Sequence, residues 1–417
     1  MQCELLTLTG DATALAAELR SLIAAPESVR DAVAAIIADV RSRGDQAVDE
    51  YTRRFDAASP PPLVVGADQL RRSLAGLDPA VRAGLELAIE NVSRVAQASL
   101  APDRPVKFGG HEVIVRETAV ARAAVYAPGG RAPYPSTVVM GAVTAHVAGV
   151  PAVAVCSPPG PGGDVDPTVL GACALAGVRR VYRVGGAQAV AALAFGTESV
   201  QAVDVIVGPG NLYVQEAKRQ VFGQVGIDGF AGPSDLLVIA DGDQDAGPIA
   251  LDLLAQAEHG PGTLVVAASP SEQLLGTLAR RLAPTADTGA VARLIHVPDP
   301  DRVAALVEAF APEHLQLIGP DAERLAPQRA GCVFVGAASA TAFGDYIAGS
   351  NHVLPTNGAA RFSSGLSPRH FRRQFAEVRI GDGAPILARS ATPIARAEGF
   401  ELHAQSMEAR IRENGSR

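Results

Sequence analysis

The chain has 417 residues, of which 48% are hydrophobic and 19% are charged, and its formal net charge is −8. This length favours two domains, on the rough prior of ~100–200 residues per domain. The acidic balance argues against a general nucleic-acid or anionic-membrane surface, where a basic excess is expected. No stretch approaches the ~18 consecutive apolar residues of a membrane span, and the N-terminus lacks the pattern of a secretory signal.

The cysteines predict the redox compartment. None of the four forms a CxxC pair, and Cys156, Cys173 and Cys332 lie in apolar surroundings. This usage is typical of buried, reduced thiols in a cytoplasmic protein. We therefore expect a cytoplasmic location and neither a cysteine nucleophile nor a thiolate metal site.

The first hundred residues are predicted to be largely helical. The sequence Ser28-Val29-Arg30-Asp31 resembles a capping box, and the apolar residues after it follow a helical period toward Arg43. A second long helix is predicted over residues 79–99.

From residue 124 onward, short apolar runs alternate with amphipathic helical stretches. The predicted strands are 124–127, 150–156, 178–184, 203–207, 236–240, 263–268, 294–297, 315–318 and 332–335, and the helices between them include 137–148, 213–222, 247–258 and 301–310. This alternation is typical of α/β units, and the continuous apolar strands fit parallel sheets covered on both faces. After these elements we expect an irregular stretch over residues 363–393 and a last helix over residues 401–412.

Glycine-rich turns follow three of the predicted strands, at residues 127–130, 185–186 and 208–211. Ligands of parallel sheets bind beyond the carboxyl ends of the strands, and the start of a following helix favours an anion. No GxGxxG fingerprint is present, and each turn alone is more typical of a plain strand–helix connection. Three such turns within about ninety residues indicate a nucleotide or another phosphate ligand.

Two pairs of polar residues could carry chemistry. Gln256 and His259 share one face at the end of a predicted helix, where they can converge on a ligand or simply be solvated. Glu313 and His314 precede an apolar strand, and an adjacent carboxylate and imidazole can divide general-base work. Neighbours on a strand face opposite sides, so their cooperation needs an irregular turn, which Pro312 permits.

Two further donors complete a possible metal set. Asp345 lies in a polar, glycine-rich loop over residues 344–356, and His403 lies alone on the terminal helix. With Gln256 and His259 they offer nitrogen and oxygen donors, which suit Zn²⁺ or a similar divalent ion. Spacing alone therefore indicates a metal-assisted α/β enzyme and leaves oxidoreductase and hydrolase equally open.

A series of sequence blocks in a fixed order covers nearly the whole chain. The blocks are 36–55 (IIADVRSRGDQAVDEYTRRF), 125–140 (VYAPGGRAPYPSTVVM), 184–198 (VGGAQAVAALAFGTE), 203–219 (VDVIVGPGNLYVQEAKR), 225–241 (VGIDGFAGPSDLLVIAD), 254–262 (LAQAEHGPG), 312–315 (PEHL), 344–356 (GDYIAGSNHVLPT) and 395–403 (ARAEGFELH). In this order they resemble the histidinol dehydrogenase family, far more specifically than any single block.

The resemblance implies an α/β fold of two incomplete Rossmann-like parallel-sheet domains with helical N-terminal and C-terminal extensions. The implied divisions are an N-terminal arm, 1–25; a first Rossmann-like domain with the metal and base residues, 26–122 plus 235–372; a second Rossmann-like domain on the NAD side, 123–234; and a C-terminal extension, 373–417. The extension is implied to contribute to the partner's site in a homodimer.

The resemblance also implies an activity, which is the zinc-dependent, four-electron oxidation of L-histidinol to L-histidine. The reaction would pass through L-histidinaldehyde with two NAD⁺, as the last step of histidine biosynthesis, with one Zn²⁺ per subunit. The implied roles are zinc ligation by Gln256, His259, Asp345 and His403; catalysis by Glu313 and His314; NAD binding by Tyr126, Gln188 and Asn211; and substrate binding by Ser234 and Glu398 together with the zinc ligands and His314.

A few positions depart from the family's usual pattern. Asp235 stands where Glu is usual, Thr341 where an acidic residue is common, and Gln374-Phe375 where Thr-Ser is usual, while the arm before Ser28 is short. We expect none of these to touch a proposed ligand or base. They keep open a divergent zinc- and NAD-dependent dehydrogenase of another small alcohol, and a metal-dependent hydrolase is the alternative from a different class.

Overall fold

The structure is a computed structural model that describes residues 3–23, 28–56, 61–129, 132–160 and 162–411. The ends of the predicted arm, Gly130 of the first glycine-rich turn and residues 412–417 lie outside the described residues. The chain forms two compact units, a larger one of residues 1–99 and 120–371 and a smaller one of residues 100–119 and 372–417.

Strands and helices alternate along much of the chain. The strands are β1 (Cys3–Thr7), β2 (Arg104–Lys107), β3 (His111–Ala119), β4 (Arg122–Tyr126), β5 (Ala152–Ser157), β6 (Arg180–Arg183), β7 (Val205–Val207), β8 (Gly226–Ile227), β9 (Asp235–Ala240), β10 (Leu264–Ser269), β11 (Val291–His296), β12 (His314–Ile318), β13 (Cys332–Val335) and β14 (Arg372–Ile380). The helices are α1 (Ala12–Ser21), α2 (Arg30–Arg43), α3 (Asp45–Phe55), α4 (Ala67–Ala75), α5 (Pro79–Ala98), α6 (Pro135–Val138), α7 (Thr144–Val147), α8 (Pro167–Leu175), α9 (Gly186–Phe195), α10 (Leu212–Val221), α11 (Ala246–Ala257), α12 (Glu272–Leu282), α13 (Asp301–Phe310), α14 (Thr341–Tyr346), α15 (Ala384–Ala397) and α16 (Glu401–Glu408).

The main sheet of the larger unit is parallel, and its described strands follow the order β1-β11-β10-β9-β12-β13. Strands β9, β10 and β12 are buried along their whole length. Alternate residues of a strand point to opposite faces, so Leu236 and Val238 pack toward α11 and α12, whereas Leu237 and Ile239 pack toward α1 and α13. Burial on both faces explains why these strands are continuous apolar runs.

The second sheet of the larger unit is also parallel, with its described strands in the order β6-β5-β4-β7-β8. Helices α2, α3, α9 and α10 contribute to its core. The predicted first domain combined residues 26–122 with residues 235–372. Helices α2 and α3 belong to the first of these ranges, but they pack on the second sheet. Together the two sheets confirm the predicted α/β class, and a strand is found at each of the nine predicted positions.

The smaller unit holds an antiparallel sheet of β14, β3 and β2 together with α15 and α16. The expectation of an irregular stretch over residues 363–393 is therefore wrong. Strand β14 is rich in charged residues and partly exposed, so it lacks the apolar run of a buried strand. Helix α15 contains Pro393 within its span, and an internal proline normally argues against a helix.

Three smaller findings concern local sequence signals. Helix α2 begins at Arg30, but the capping box is wrong because Val29 occupies the N-cap without a side-chain hydrogen bond. Cys156 and Cys173 are buried thiols and Cys332 is a half-buried one. None of the helices in the described part of the chain combines the length and hydrophobicity needed to cross a membrane.

Candidate active site

A cleft of about 600 Å³ lies at the carboxyl end of the second sheet and is lined by Tyr126, Gln188 and Asn211, among others. Tyr126 ends β4, Gln188 lies in the first turn of α9, and Asn211 caps the start of α10. The structure therefore brings the three predicted NAD residues into one cleft. Their convergence follows from the parallel sheet, whose strands all end at the same edge.

Glycines bring the backbone close to this cleft. Gly186 has φ +66°, and a Cβ there would lie 2.5 Å from the amide oxygen of Gln188. Its N–H donates to the buried Tyr126 hydroxyl at 3.0 Å. The N-cap residue of α9 is Gly185, which has no side chain to cap the helix, so the N–H groups of the first turn that follow Gly186 can receive an anion such as a pyrophosphate.

A buried ion pair anchors the turn after β7. Lys218 and Asp228 are 1% and 5% exposed and form a salt bridge. Lys218 Nζ also donates to the Gly208 carbonyl at 3.0 Å, and Asp228 Oδ2 accepts from the Gly208 N–H at 2.6 Å. Gly208 has φ +114°, and a Cβ there would collide with the backbone of Tyr126. The pair thus fixes the turn that leads to Asn211.

Glu313 and His314 lie where α13 turns into β12 of the main sheet. Ala311 adopts the left-handed conformation, φ 47°, immediately before Pro312. The chain is therefore irregular immediately before the Glu313–His314 pair. Glu313 Oε2 lies 3.8 Å from His314 Nδ1, and both residues are buried.

A chain of hydrogen bonds ends on the Glu313 carboxylate. The Gln256 amide donates to Ser234 Oγ at 2.6 Å, and the Ser234 hydroxyl donates to Glu313 Oε2 at 2.5 Å. The Asp235 N–H donates to the same oxygen at 3.0 Å. Burial raises the pKa of Glu313, the Asp235 charge adds to this, and His314 and the hydrogen bonds oppose it.

Asp235 reaches Glu313 in a second way. Its Oδ1 accepts from the Glu313 N–H at 2.8 Å, while its Oδ2 accepts from Arg20 Nη1 at 2.6 Å. Arg20 also donates to the Phe310 carbonyl at 2.7 Å and stacks on the Phe310 ring. The expectation that no departing position touches a proposed base is therefore wrong for Asp235.

The charge state of His314 reflects opposing effects. Burial lowers its pKa, but the carboxylates of Glu313, Asp345 and Asp235 outweigh burial and raise the pKa to about 9. Its Nε2 lies 3.4 Å from Asp345 Oδ1. Among the described residues, neither ring nitrogen has a partner at good hydrogen-bond geometry, so the ring is available to a ligand.

His259 and Gln256 present donor atoms at the end of α11. His259 Nδ1 lies 2.9 Å from the Gln256 carbonyl oxygen. A carbonyl can only accept, so Nδ1 carries the proton and Nε2 presents a lone pair, which is the usual arrangement of a metal-binding histidine. The Gln256 amide nitrogen is engaged by Ser234, which leaves its oxygen for a cation.

His352 links several of these residues. Its Nδ1 donates to the Asp345 carbonyl at 2.8 Å, and its Nε2 accepts from the Thr137 hydroxyl at 3.2 Å. Burial lowers the pKa of His352, and nearby His314 and His259 lower it further against the effect of Asp345. This neutral imidazole therefore lies beside the predicted metal and base residues, and the site prediction did not include it.

The four predicted zinc ligands are divided between the two units. Gln256, His259 and Asp345 belong to the larger unit, whereas His403 belongs to the smaller one, where it is exposed beside Phe400. Glu398 is likewise exposed on the smaller unit. Within the described residues, no three His, Cys, Asp or Glu side chains form a metal-binding group. The complete ligand set therefore stays a prediction.

Sequence reasoning missed three residues at this site. His352 lies in the polar, glycine-rich loop over residues 344–356, the loop that also contains Asp345. Asp235 is visible as a departure from the family pattern. Arg20 leaves no signal in the sequence, because its contact with Asp235 joins residues 215 positions apart.

Comparison with known proteins places this arrangement in a family. A histidinol dehydrogenase family model matches residues 21–411. Histidinol dehydrogenase of Pseudomonas aeruginosa is 45% identical over 92% of this chain and 91% of its own length, and that of Rhodospirillum rubrum is 44% identical over 96% of both. The crystal structure of histidinol dehydrogenase from Elizabethkingia anophelis matches with a TM-score of 0.91 and 29% identity, covering 99% of this chain and 98% of the other. The chain belongs to the histidinol dehydrogenase family.

Proposed function

We propose that this protein oxidises L-histidinol to L-histidine through L-histidinaldehyde, with zinc and two NAD⁺, as the last step of histidine biosynthesis. The observation that carries the proposal is the buried Glu313–His314 pair, tied by hydrogen bonds to Ser234 and Gln256, in a chain that matches the family over residues 21–411. The cleft with Tyr126, Gln188 and Asn211 supports the use of a dinucleotide.

The catalytic pair has the groups that two successive oxidations require. The first oxidation needs a base to take the hydroxyl proton while hydride leaves the carbon, and the second needs water to add to the aldehyde before another hydride leaves. We assign proton removal to His314, whose ring nitrogens face Glu313 and Asp345. Because its pKa is raised to about 9, it acts as the base in its neutral form, whose share grows as pH rises toward 9. Glu313 orients and deprotonates water, because its carboxylate is buried and held on one oxygen by Ser234 and the Asp235 N–H.

The donor set fits zinc. Gln256, His259, Asp345 and the partner subunit's His403 would hold the ion, since the Nε2 of His259 and the oxygen of Gln256 are the atoms left for a ligand. When bound, zinc has no redox role and acts as a Lewis acid that holds the substrate's nitrogens. The substrate would then lie between these ligands and His314, with Ser234 and Glu398 as further contacts.

The cleft on the second sheet fits NAD⁺, which accepts the hydride when bound. The uncapped start of α9 and the glycine at position 186 suit a pyrophosphate. The Tyr126 hydroxyl is held by the Gly186 N–H, so its own proton can point into the cleft. Gln188 and Asn211 add polar groups on either side.

We also propose a homodimer in the cytoplasm. The exposure of Glu398 and His403 on the smaller unit supports a role of both residues in the partner's site. Buried thiols at Cys156 and Cys173 are typical of a reducing compartment.

The experiment that tests the reaction is the yield of NADH from limiting L-histidinol in the presence of excess NAD⁺. We expect two NADH per substrate, because the alcohol is oxidised by four electrons. One NADH per substrate, with accumulation of the aldehyde, would show that the enzyme stops at the first oxidation.

A divergent alcohol dehydrogenase is the second candidate, and one observation favours it. Asp235 stands where the family usually has Glu, and it contacts both the N–H and the carboxylate of Glu313. A displacement of the Glu313 carboxylate would change where the attacking water is held. It would therefore change which alcohol the enzyme accepts. Comparing kcat/KM for L-histidinol with that for other amino and sulfonated alcohols separates the two candidates.

A further inference from the structure

A buried amide in the main sheet bridges three elements of the candidate site. Gln316 lies in β12, two residues after His314, and is fully buried. Its Nε2 donates to Asp252 Oδ2 of α11 at 2.7 Å and to the Ser339 carbonyl at 3.2 Å. Ser339 lies in the connection between β13 and α14. One NH2 group therefore joins β12 both to α11 and to the segment that leads into α14.

Two of the bridged elements carry proposed zinc ligands. Asp252 lies one turn before Gln256 in α11, and both residues are buried on the same face of the helix. Asp345 lies in α14, which begins shortly after Ser339. The Gln316 amide thus connects the helix that carries Gln256 with the helix that carries Asp345, through a strand that belongs to neither.

The bridge has costs that an apolar contact would not have. Buried polar side chains lose their hydration, and hydrogen bonds must compensate for that loss. Among the described residues, Gln316 Oε1 is buried without a hydrogen-bond partner. Burial also raises the pKa of Asp252, against the effect of the Gln316 hydrogen bond, so the charged form is disfavoured there. The stability of the core therefore does not by itself explain the bridge.

We infer that Gln316 and Asp252 are positioning residues, which hold the proposed zinc ligands Gln256 and His259 of α11 at a fixed distance from Asp345. Hydrogen bonds have a defined length and direction, whereas apolar contacts are non-directional. A zinc site depends on the geometry of its ligands, and groups behind the ligands commonly tune metal affinity. The inference rests on the proposed zinc site and adds two residues behind its ligands.

The test is zinc binding by the metal-free full-length protein, titrated with zinc alone against a competing chelator. Thermal unfolding is measured on the same metal-free samples. The main variant combines Asp252→Leu with Gln316→Leu, which replaces both polar partners by apolar groups. We expect its zinc Kd to rise about ten- to a hundredfold, the loss typical of groups behind metal ligands. Its unfolding temperature should stay equal or rise, because no buried polar group is left unpaired.

Two further variants separate positioning from general stability. Asp252→Asn keeps an oxygen that can accept from the Gln316 amide, so it should bind zinc nearly as well as the unsubstituted protein. Asp245→Ala removes the side chain that caps the start of α11, far along the helix from Gln256. It should lower the unfolding temperature and leave the zinc affinity unchanged.

The outcomes separate this inference from the proposed function. If the unsubstituted protein binds no zinc, the proposed zinc site itself is wrong. If it binds zinc and the double variant binds zinc equally well, the positioning role is overturned while the proposed function stands. If the double variant does not fold, Asp252→Ala takes its place, and equal zinc affinities of Asp252→Ala and Asp252→Asn overturn the inference. A loss of zinc affinity in Asp245→Ala as large as that in the double variant would show that stability sets the affinity, and would also overturn it.

Discussion

Asp235 is a buried carboxylate that connects two elements to Glu313, a member of the proposed catalytic pair. It accepts from Arg20 in α1 and from the Glu313 backbone, and its own N–H donates to the Glu313 carboxylate. A charged acceptor between two donors is costly to neutralise, because each donor then loses a strong hydrogen bond. We therefore expect Asp235 to act on catalysis through Glu313, as a positioning residue.

We expect Asp235→Asn to lower kcat by about ten- to a hundredfold, which corresponds to hydrogen bonds to a charged group. Its zinc content should not change, since the hydrogen bonds of Asp235 go to Arg20 and Glu313 and not to a proposed ligand. Asp235→Glu keeps the charge and should retain more activity than Asp235→Asn. Steady-state kinetics and metal analysis check this, with exposed Asp243→Asn as the control. Zinc lost in parallel with kcat would contradict a positioning role.

At the scale of elements, the turn between β7 and α10 depends on the Lys218–Asp228 pair. Removing one partner of a buried ion pair leaves an uncompensated charge and costs about 3–5 kcal/mol. We expect Lys218→Met to lower the free energy of unfolding by roughly this amount and to weaken NADH binding, because Gly208 loses a contact beside Asn211.

Urea unfolding together with NADH titration measures both effects of Lys218→Met. Arg219→Met is the matched control on the same helix, since the Arg219 side chain is 64% exposed and pairs with Glu216 on the surface. Such a surface pair contributes about 0–1 kcal/mol. Equal losses of stability in the two variants would show that the buried pair does not anchor the turn.

Burial decides which elements could be predicted from sequence. Strands such as β9 and β12 are covered on both faces, so they are apolar throughout and were predicted. Strands β3 and β14 pair with each other in an exposed antiparallel sheet whose charged residues hide the pattern. Strand β1 was missed because its residues are mostly exposed at the edge of the main sheet.

In the candidate site, some residues could be predicted from the sequence and others could not. Tyr126, Gln188 and Asn211 could be predicted because they lie in glycine-rich turns with a family pattern, and the cleft contains all three. The contacts of Arg20 with Asp235 and Phe310 could not be predicted, since they depend on where α1 docks in the tertiary structure.

At the scale of the whole molecule, the proposed sharing of sites predicts complementation. His403→Ala and His259→Ala should each be nearly inactive as homodimers, because each site lacks one ligand. After the two variants are mixed, dissociated and re-formed, each mixed dimer has one site with both defects and one with none. Half of the dimers are mixed at random, so about a quarter of all sites should recover.

Activity and zinc content of the re-formed mixture measure this recovery. A sample of the same two variants kept from dissociating is the control and should stay inactive. If the C-terminal unit serves its own subunit instead, every site in the mixture keeps one defect. Mixed dimers that are as inactive and as poor in zinc as their parents would rule out a shared site.

The place of β1 determines when the main sheet can be completed during synthesis on the ribosome. The strands of the second sheet lie within residues 122–227, one continuous stretch that can assemble as it emerges. Strand β1 cannot pair until β11 has been synthesised, because Leu5 lies opposite Leu294. The loop between the two strands is long, and long loops close slowly. Arg20 likewise cannot contact Asp235 and Phe310 until those residues have been synthesised. We therefore expect a nascent chain to form the cleft of the second sheet before its N-terminal segment returns to hold Asp235 beside Glu313.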